Sequence, residues 1–98
     1  MDISTHSNGF QVSEDLKGFI NKKVSKLETF IDKLISIDVY LKLENHSQIK
    51  DKTIDIKVII PGSTLFSSET AKTFEAATDD AVDSLKRQLR KQKEKRKS

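Results

Sequence analysis

The spacing of apolar residues changes twice along this chain, and these changes restrict its fold more than any other feature. Apolar residues recur every three or four positions after Ser13, a good N-cap, which predicts an amphipathic helix over roughly 14–33. They then alternate with polar residues over 37–43 and again over 54–60, as in strands with one buried face. The helical spacing returns over 74–92. The sequence therefore predicts both helices and strands, each with one apolar face.

Turn signals supply the remaining elements. Residues 1–5 predict a short first strand, and the polar run at 6–9 predicts the turn that follows it. The Pro61-Gly62 dipeptide is the strongest turn signal in the chain and begins a further strand at 63–70. Residues 45–51 show no periodicity, so we predict a loop there.

The predicted order of elements is β-α-β-β-β-α, in a single domain over 1–98. Two helices with apolar stripes and a sheet with one apolar face form a two-layer α+β sandwich, with both helices packed on one face of a four-stranded sheet. Short connections make the last three strands antiparallel, whereas a helix after the first strand permits a parallel pairing. Leu65 and Phe66 are adjacent, so alternation does not decide which of them points inward.

Positive charge is concentrated at the C-terminus. Of eighteen basic and fifteen acidic residues, eight basic and one acidic lie in 85–98, so this segment carries a formal charge of +7 and the first 84 residues carry −4. Such segregation favours an anionic partner, nucleic acid first and a membrane surface second. Because the apolar stripe of the last helix ends near Gln92, we expect 93–98 to be a frayed basic tail in the free protein.

The chain lacks the residues that several functional classes require. The chain has no Cys, which excludes disulfides and Cys-based zinc sites and is consistent with a cytoplasmic location. His6 and His46 lie in predicted loops without metal-site spacing, and the glycines are too far apart for a phosphate loop. No apolar run is long enough to cross a bilayer, and the first residues do not resemble a signal peptide. We therefore expect no enzymatic activity, metal, cofactor, small-molecule substrate or membrane partner.

The basic residues of the two helices carry the functional prediction. On the last helix they lie three or four positions apart, opposite the apolar stripe: Lys86, Arg87, Arg90, Lys91 and Lys93. On the first helix, Lys22, Lys26 and Lys33 follow one flank of the stripe. Two helices on one sheet face would place these clusters side by side as a groove of positive potential.

Lys23 occupies an unusual position, because it falls inside the apolar stripe between Phe19 and Phe30. Its methylene groups can cover core surface, or it can join the basic flank of Lys22 and Lys26; we favour the second interpretation. The chain has one Tyr and no Trp, and we expect no aromatic pair on a solvent-facing strand. The groove should therefore contact phosphates rather than stack on bases, and binding should weaken steeply with salt.

Three stretches of the sequence resemble the ribosome hibernation promoting factor family, which includes the ribosome-associated inhibitor. The stretch ISTHSNGFQVSEDLKGFI is similar to the first strand and helix entry of the family, and KKVSKLETF to its basic first helix. The most specific is FEAATDDAVDSLKRQLRKQKEK, which resembles the second helix. The resemblance extends over nearly the whole chain and is weakest at 45–52.

The resemblance implies a cytoplasmic protein that binds ribosomal RNA of the small ribosomal subunit, blocks messenger and transfer RNA sites and stops translation in stationary or stressed cells. By matching position it implies RNA contacts at Lys23, Lys26, Arg87 and Lys91, and the charge pattern adds Lys22, Lys86, Arg90 and Lys93. Thr29 and Ser84 stand where relatives often carry Lys. Long members of the family have a C-terminal dimerisation domain. This chain resembles the short form, so we expect a monomer away from the ribosome that needs a separate factor to pair ribosomes.

Two alternatives remain open at this point. A double-stranded RNA-binding domain shares the α-β-β-β-α order, but it concentrates bases at the start of its last helix, where this chain has Glu75, Asp79 and Asp80. The second alternative is a protein-interaction module whose basic helix docks on an acidic partner or an anionic membrane. The membrane version is weak, because the outer face of the helix lacks apolar residues for insertion.

Overall fold

The computed structural model describes residues 2–30, 33–43 and 51–97, with side chains as far as residue 94. Met1, Ile31 of the predicted helical stripe and 44–50, which contain His46 and most of the predicted loop, lie outside the described residues. A 3-10 segment, Lys26–Phe30, directly follows the first helix. The elements in chain order are β1 (Asp2–Ser7), α1 (Glu14–Ser25), β2 (Ser36–Leu43), β3 (Lys52–Ile60), β4 (Ser63–Ala71) and α2 (Phe74–Lys97).

The four strands form one sheet in the order β1-β2-β3-β4. β1 pairs with β2 in parallel, and β2–β3 and β3–β4 are antiparallel. Pro61-Gly62 connects the last pair, with Gly62 at φ +78°, in the left-handed region that favours glycine. The predicted α+β sandwich is confirmed, including the parallel pairing that the β1-α1-β2 connection permits.

The core lies between one face of the sheet and the two helices. Alternate residues of β2 and β3 are fully buried, among them Ile37, Val39, Ile56 and Val58. Leu65 is buried and Phe66 is 53% exposed, which decides the inward residue that alternation left open. The helices contribute the other half of the core: Ile20, Val24 and Leu27 with Phe74, Ala77, Ala81, Val82, Leu85 and Leu89.

The first helix is shorter than its apolar stripe predicts. It is α-helical only to Ser25 and then narrows to a 3-10 segment ending at Phe30, instead of continuing to about 33. Two hydroxyls explain the change: Ser25 Oγ donates to the Lys22 carbonyl at 3.0 Å, and Thr29 Oγ1 donates to the Lys26 carbonyl at 2.8 Å. Such short-range bonds compete with α-helical pairing. Lys33 therefore lies in a turn, and its predicted place on one helical flank with Lys22 and Lys26 is wrong.

Both helices begin where their caps predict. Ser13 Oγ accepts from the Leu16 amide at 3.1 Å, and Thr73 Oγ1 accepts from the Ala76 amide at 3.0 Å. The backbone of α2 is helical to Lys97, beyond the limit at 92 set by its apolar stripe. Within the described residues, no helix has the length and apolar composition to cross a membrane.

The two helices run in the same direction along the sheet. Phe10, just before α1, stacks on Phe74 at the start of α2 with ring centroids 5.5 Å apart. Further along, Lys23 pairs with Asp79, and Phe30 reaches the basic half of α2. Residues later in the first segment contact residues later in α2, so the two helices are parallel, with the last turn of α1 beside the first half of α2.

Gly18 should limit the stability of α1, because glycine in a helix interior is less favourable than alanine. A Cβ placed at Gly18 meets no atom within 4 Å. We expect Gly18→Ala to raise the free energy of unfolding by about 0.5–1 kcal/mol, measured by urea denaturation followed by circular dichroism.

Gly62→Ala is the matched control. A Cβ there also meets no atom within 4 Å, but φ is +78°, so the substitution should lower the free energy of unfolding. Equal effects of the two substitutions would contradict the helical assignment of Gly18.

Candidate nucleic-acid interface

The parallel helices bring two groups of basic residues to one end of the helix layer. The last turn of α1 and the start of the 3-10 segment supply one group, and the second half of α2 supplies the other. We call these residues together the basic end: Lys22, Lys23, Lys26, Lys86, Arg87, Arg90, Lys91 and Lys93. They are the eight residues that the sequence predicts as RNA contacts, and Lys22 and Lys23 lie in the last turn of α1, where the helix dipole favours cations.

One aromatic ring joins the two groups. Phe30, half-buried in the 3-10 segment, has the Arg90 guanidinium carbon 5.4 Å from its ring centroid and the Lys86 Nζ 6.0 Å from it. Cations within about 6 Å of a ring centroid are attracted to the face of the ring. Lys86 and Arg90 therefore lie on the side of α2 that faces the end of the first helix.

Lys23 lies between the helices, where it has partners of its own. Its Nζ is 3.3 Å from Asp79 Oδ1 of α2 and 5.4 Å from the centroid of the Phe19 ring, and its side chain is 32% exposed. The ammonium group therefore lies near both an aromatic ring and a carboxylate, while part of the side chain remains exposed. Sequence reasoning missed Asp79 as its partner, because wheel positions on separate helices do not show which residues meet.

The other members of the basic end point into solvent. Lys22, Lys26, Arg87, Lys91 and Lys93 are exposed. Within the described part of the chain, no carboxylate forms an ion pair with any of these five, nor with Lys86 or Arg90. Arg87 and Lys91 are one helical turn apart on the side of α2 opposite its buried stripe. Their charges are therefore available to an external anion.

Acidic residues collect at the opposite end of the helix layer. Glu75, Asp79, Asp80 and Asp83 lie in the N-terminal half of α2, and Glu14 and Asp15 lie in the first turn of α1. Along α2 itself, these carboxylates precede the five bases at 86–93. The carboxylates nearest to the basic end are Asp79, which pairs with Lys23, and Asp83, one helical turn before Lys86 and Arg87.

The open face of the sheet carries an aromatic pair that the sequence did not predict. The rings of His6 and Tyr40 are stacked, with centroids 5.0 Å apart and an angle of 18° between their planes. The expectation of no aromatic pair there is wrong because β1 continues through His6, and its parallel register places His6 beside Tyr40. β1 continues to Ser7, inside the predicted turn at 6–9, and no local feature of the sequence marks this extension.

The middle of that open face is electrically balanced. Asp55 Oδ2 lies 2.9 Å from Lys42 Nζ, and Asp55 Oδ1 accepts from Ser68 Oγ at 2.5 Å. The side chain of Asp55 is only 14% exposed. The surplus of positive charge therefore belongs to the helix layer rather than to the sheet.

A family model described as Sigma 54 modulation protein / S30EA ribosomal protein matches residues 3–97. The chain belongs to this family. It is 31% identical over 95 residues to the ribosome hibernation promoting factor of Escherichia coli K12, covering 97% of this chain and 96% of that protein. It is 29% identical over 98 residues to the factor of Pseudomonas putida KT2440, covering 100% of this chain and 92% of that one.

Two solved structures share the fold. A ribosomal subunit interface protein from Coxiella burnetii superposes with a TM-score of 0.83 at 25% identity, covering 95% of this chain and 98% of that one. The N-terminal domain of Protein Y from Thermus thermophilus superposes with a TM-score of 0.81 at 25% identity, covering 93% and 98%. The resemblance deduced from the helix motifs is therefore confirmed, and β1, which the α-β-β-β-α order lacks, separates the chain from double-stranded RNA-binding domains.

The Lys23–Asp79 pair should contribute a small, salt-sensitive stabilisation. Both side chains are partly exposed, and exposed ion pairs contribute about 0.2–1 kcal/mol. We expect Asp79→Asn to lower the free energy of unfolding at low salt by that amount relative to Asp80→Asn, measured by urea denaturation. The difference should disappear in high salt.

Asp80→Asn is the control because Asp80 is adjacent, exposed and in the same helix turn, so it shares the helix-dipole term. Equal losses at low salt for the two variants would show that the pair contributes nothing to stability.

Proposed function

We propose that this protein is a ribosome hibernation factor that binds the small ribosomal subunit through ribosomal RNA phosphates and inhibits translation. Its relatives named ribosome hibernation promoting factor match over nearly their whole length, which supports a ribosome-associated, cytoplasmic role. The basic end carries the finer part of the proposal, because it gathers eight cations of which seven have no ion-pair partner within the described residues.

Phosphate recognition follows from the kind of cations present. Arg guanidinium and Lys ammonium groups bind phosphate oxygens, and such contacts position a protein without reading base sequence. The bases come from two separate elements, so the surface can contact backbone phosphates on more than one side. An RNA groove or the junction of two RNA helices offers phosphates in that arrangement.

Inhibition would result from occupancy of the site rather than from chemistry. The protein measures 46 × 23 × 18 Å, and α2, with 24 residues, extends about 36 Å along it. A body of this size bound by one end fills a channel in which messenger or transfer RNA would otherwise lie. We infer the same sites that the family resemblance implies, and a role in stationary or stressed cells.

The protein should co-sediment with purified small ribosomal subunits at low salt and be released as salt increases. Six to eight phosphate contacts imply a slope of about −4 to −7 in a plot of log binding constant against log salt. Ultracentrifugation over a salt series measures this slope. If the protein stays in the supernatant at low ionic strength, the proposed function fails.

Reversing two charges of the basic end should abolish the interaction. In the Arg87→Glu, Lys91→Glu double variant, two exposed cations become anions in the middle of the surface, so we expect loss of co-sedimentation and of inhibition in a cell-free translation assay. Thermal unfolding should be almost unchanged, since both side chains point into solvent.

A Lys57→Glu, Lys72→Glu double variant gives the same change in net charge elsewhere. Lys57 lies on the open sheet face, and Lys72 lies just before α2, at the acidic end of the helix layer. This control should sediment and inhibit close to wild type. Wild-type inhibition by the first variant, or equal loss in both, would reject the basic end as the binding surface.

A further inference from the structure

Phe30 contacts two cations of the basic end, whereas the Lys23–Asp79 ion pair involves one. Neither the charge pattern nor the family resemblance gives Phe30 a function. Its ring lies 5.4 Å from the Arg90 guanidinium carbon and 6.0 Å from Lys86 Nζ, and these two cations lie one helical turn apart on α2. The ring belongs to a different element, the 3-10 segment after α1. It therefore contacts both cations from outside the helix that carries them.

We propose that Phe30 is a positioning residue, which orients Lys86 and Arg90 for contact with RNA phosphate before the RNA arrives. The inference rests on the proposed function and adds a role to the same surface. Lys and Arg side chains lose much rotamer freedom when they are fixed in a complex, and that loss weakens binding. A ring that already restricts the two side chains in the free protein reduces the loss.

The position of Phe30 depends on the change of helix type at Lys26. The ring is half-buried and packs against the core, so its own orientation is constrained. Leu27, three residues earlier, is fully buried, and the three-residue repeat of a 3-10 segment places Phe30 on the same side. The ring is thus held by the core on one side and offers its face to α2 on the other.

Arg87 gives an internal comparison on the same helix. It is exposed, and within the described residues it forms neither an ion pair nor a cation–π contact. If ring contact orders a guanidinium group, the side chain of Arg90 should be less mobile than that of Arg87 in the free protein. Nitrogen-15 relaxation of the Arg Nε–Hε groups measures this directly.

The binding test uses Phe30→Leu, which keeps an apolar side chain but removes the ring, and Phe30→Tyr, which keeps the ring. We expect Phe30→Leu to weaken binding to small ribosomal subunits about two- to fivefold, the size of an exposed cation–π contact, and Phe30→Tyr to bind close to wild type. Arg90→Gln and the Phe30→Leu, Arg90→Gln double variant complete a double-mutant cycle. The effect of Phe30→Leu should shrink in the Arg90→Gln background because the two residues act together.

The possible outcomes separate the two proposals. If wild type does not bind small subunits, the proposed function itself fails. If wild type binds and Phe30→Leu binds equally well, or if the Phe30 and Arg90 effects simply add, the positioning role is rejected. Equal mobility of Arg90 and Arg87 in the free wild-type protein also rejects it, and that measurement needs no variant to fold.

Discussion

The basic end exists because three strands separate two helices that pack on the same side of one sheet. Each connection reverses the chain, and the four connections from α1 through β2, β3 and β4 to α2 return α2 to the direction of α1. Burial of one apolar sheet face then forces both helices into one layer, side by side. With two or four strands between them the helices would be antiparallel, and Phe30 would not lie beside the basic half of α2 as it does here. The charge surface is thus a consequence of topology as well as of composition.

Gathering like charges at one end has a cost, which several features of this end reduce. Lys22 and Lys23 lie in the last turn of α1, where the negative end of the helix dipole favours cations. Lys23 is paired with Asp79, and the Phe30 ring lies against Arg90 and Lys86. The remaining bases are exposed, where water and salt screen their repulsion. The core residues of α2 end at Leu89, so the basic turns extend from a segment that is firmly packed.

Elements marked by a local pattern could be predicted from the sequence. Features that depend on contact with a second element could not. Period changes and caps predicted the order of strands and helices, and Ser13 and Thr73 cap the helices as expected. The end of α1 was missed because two hydroxyls favour the 3-10 form while the apolar spacing continues unchanged. His6 was missed as a strand residue because its pairing with β2 gives no sign in its own neighbourhood.

The candidate site also has features that the sequence predicts and features that it does not. That basic residues of both helices share one surface follows from charge pattern and fold class together. Charge pattern and fold class do not show which of these residues have partners within the protein. The contacts of Lys23 with Asp79 and of Phe30 with Arg90 depend on how far one helix is shifted along the other. The same shift sets the spacing between the two groups of cations. Since phosphate contacts carry no base information, that spacing is the property through which such a surface can select one RNA shape over another. Any selectivity for a particular ribosomal site must therefore come from the packed core that fixes the two helices relative to each other, rather than from the number of bases that they carry.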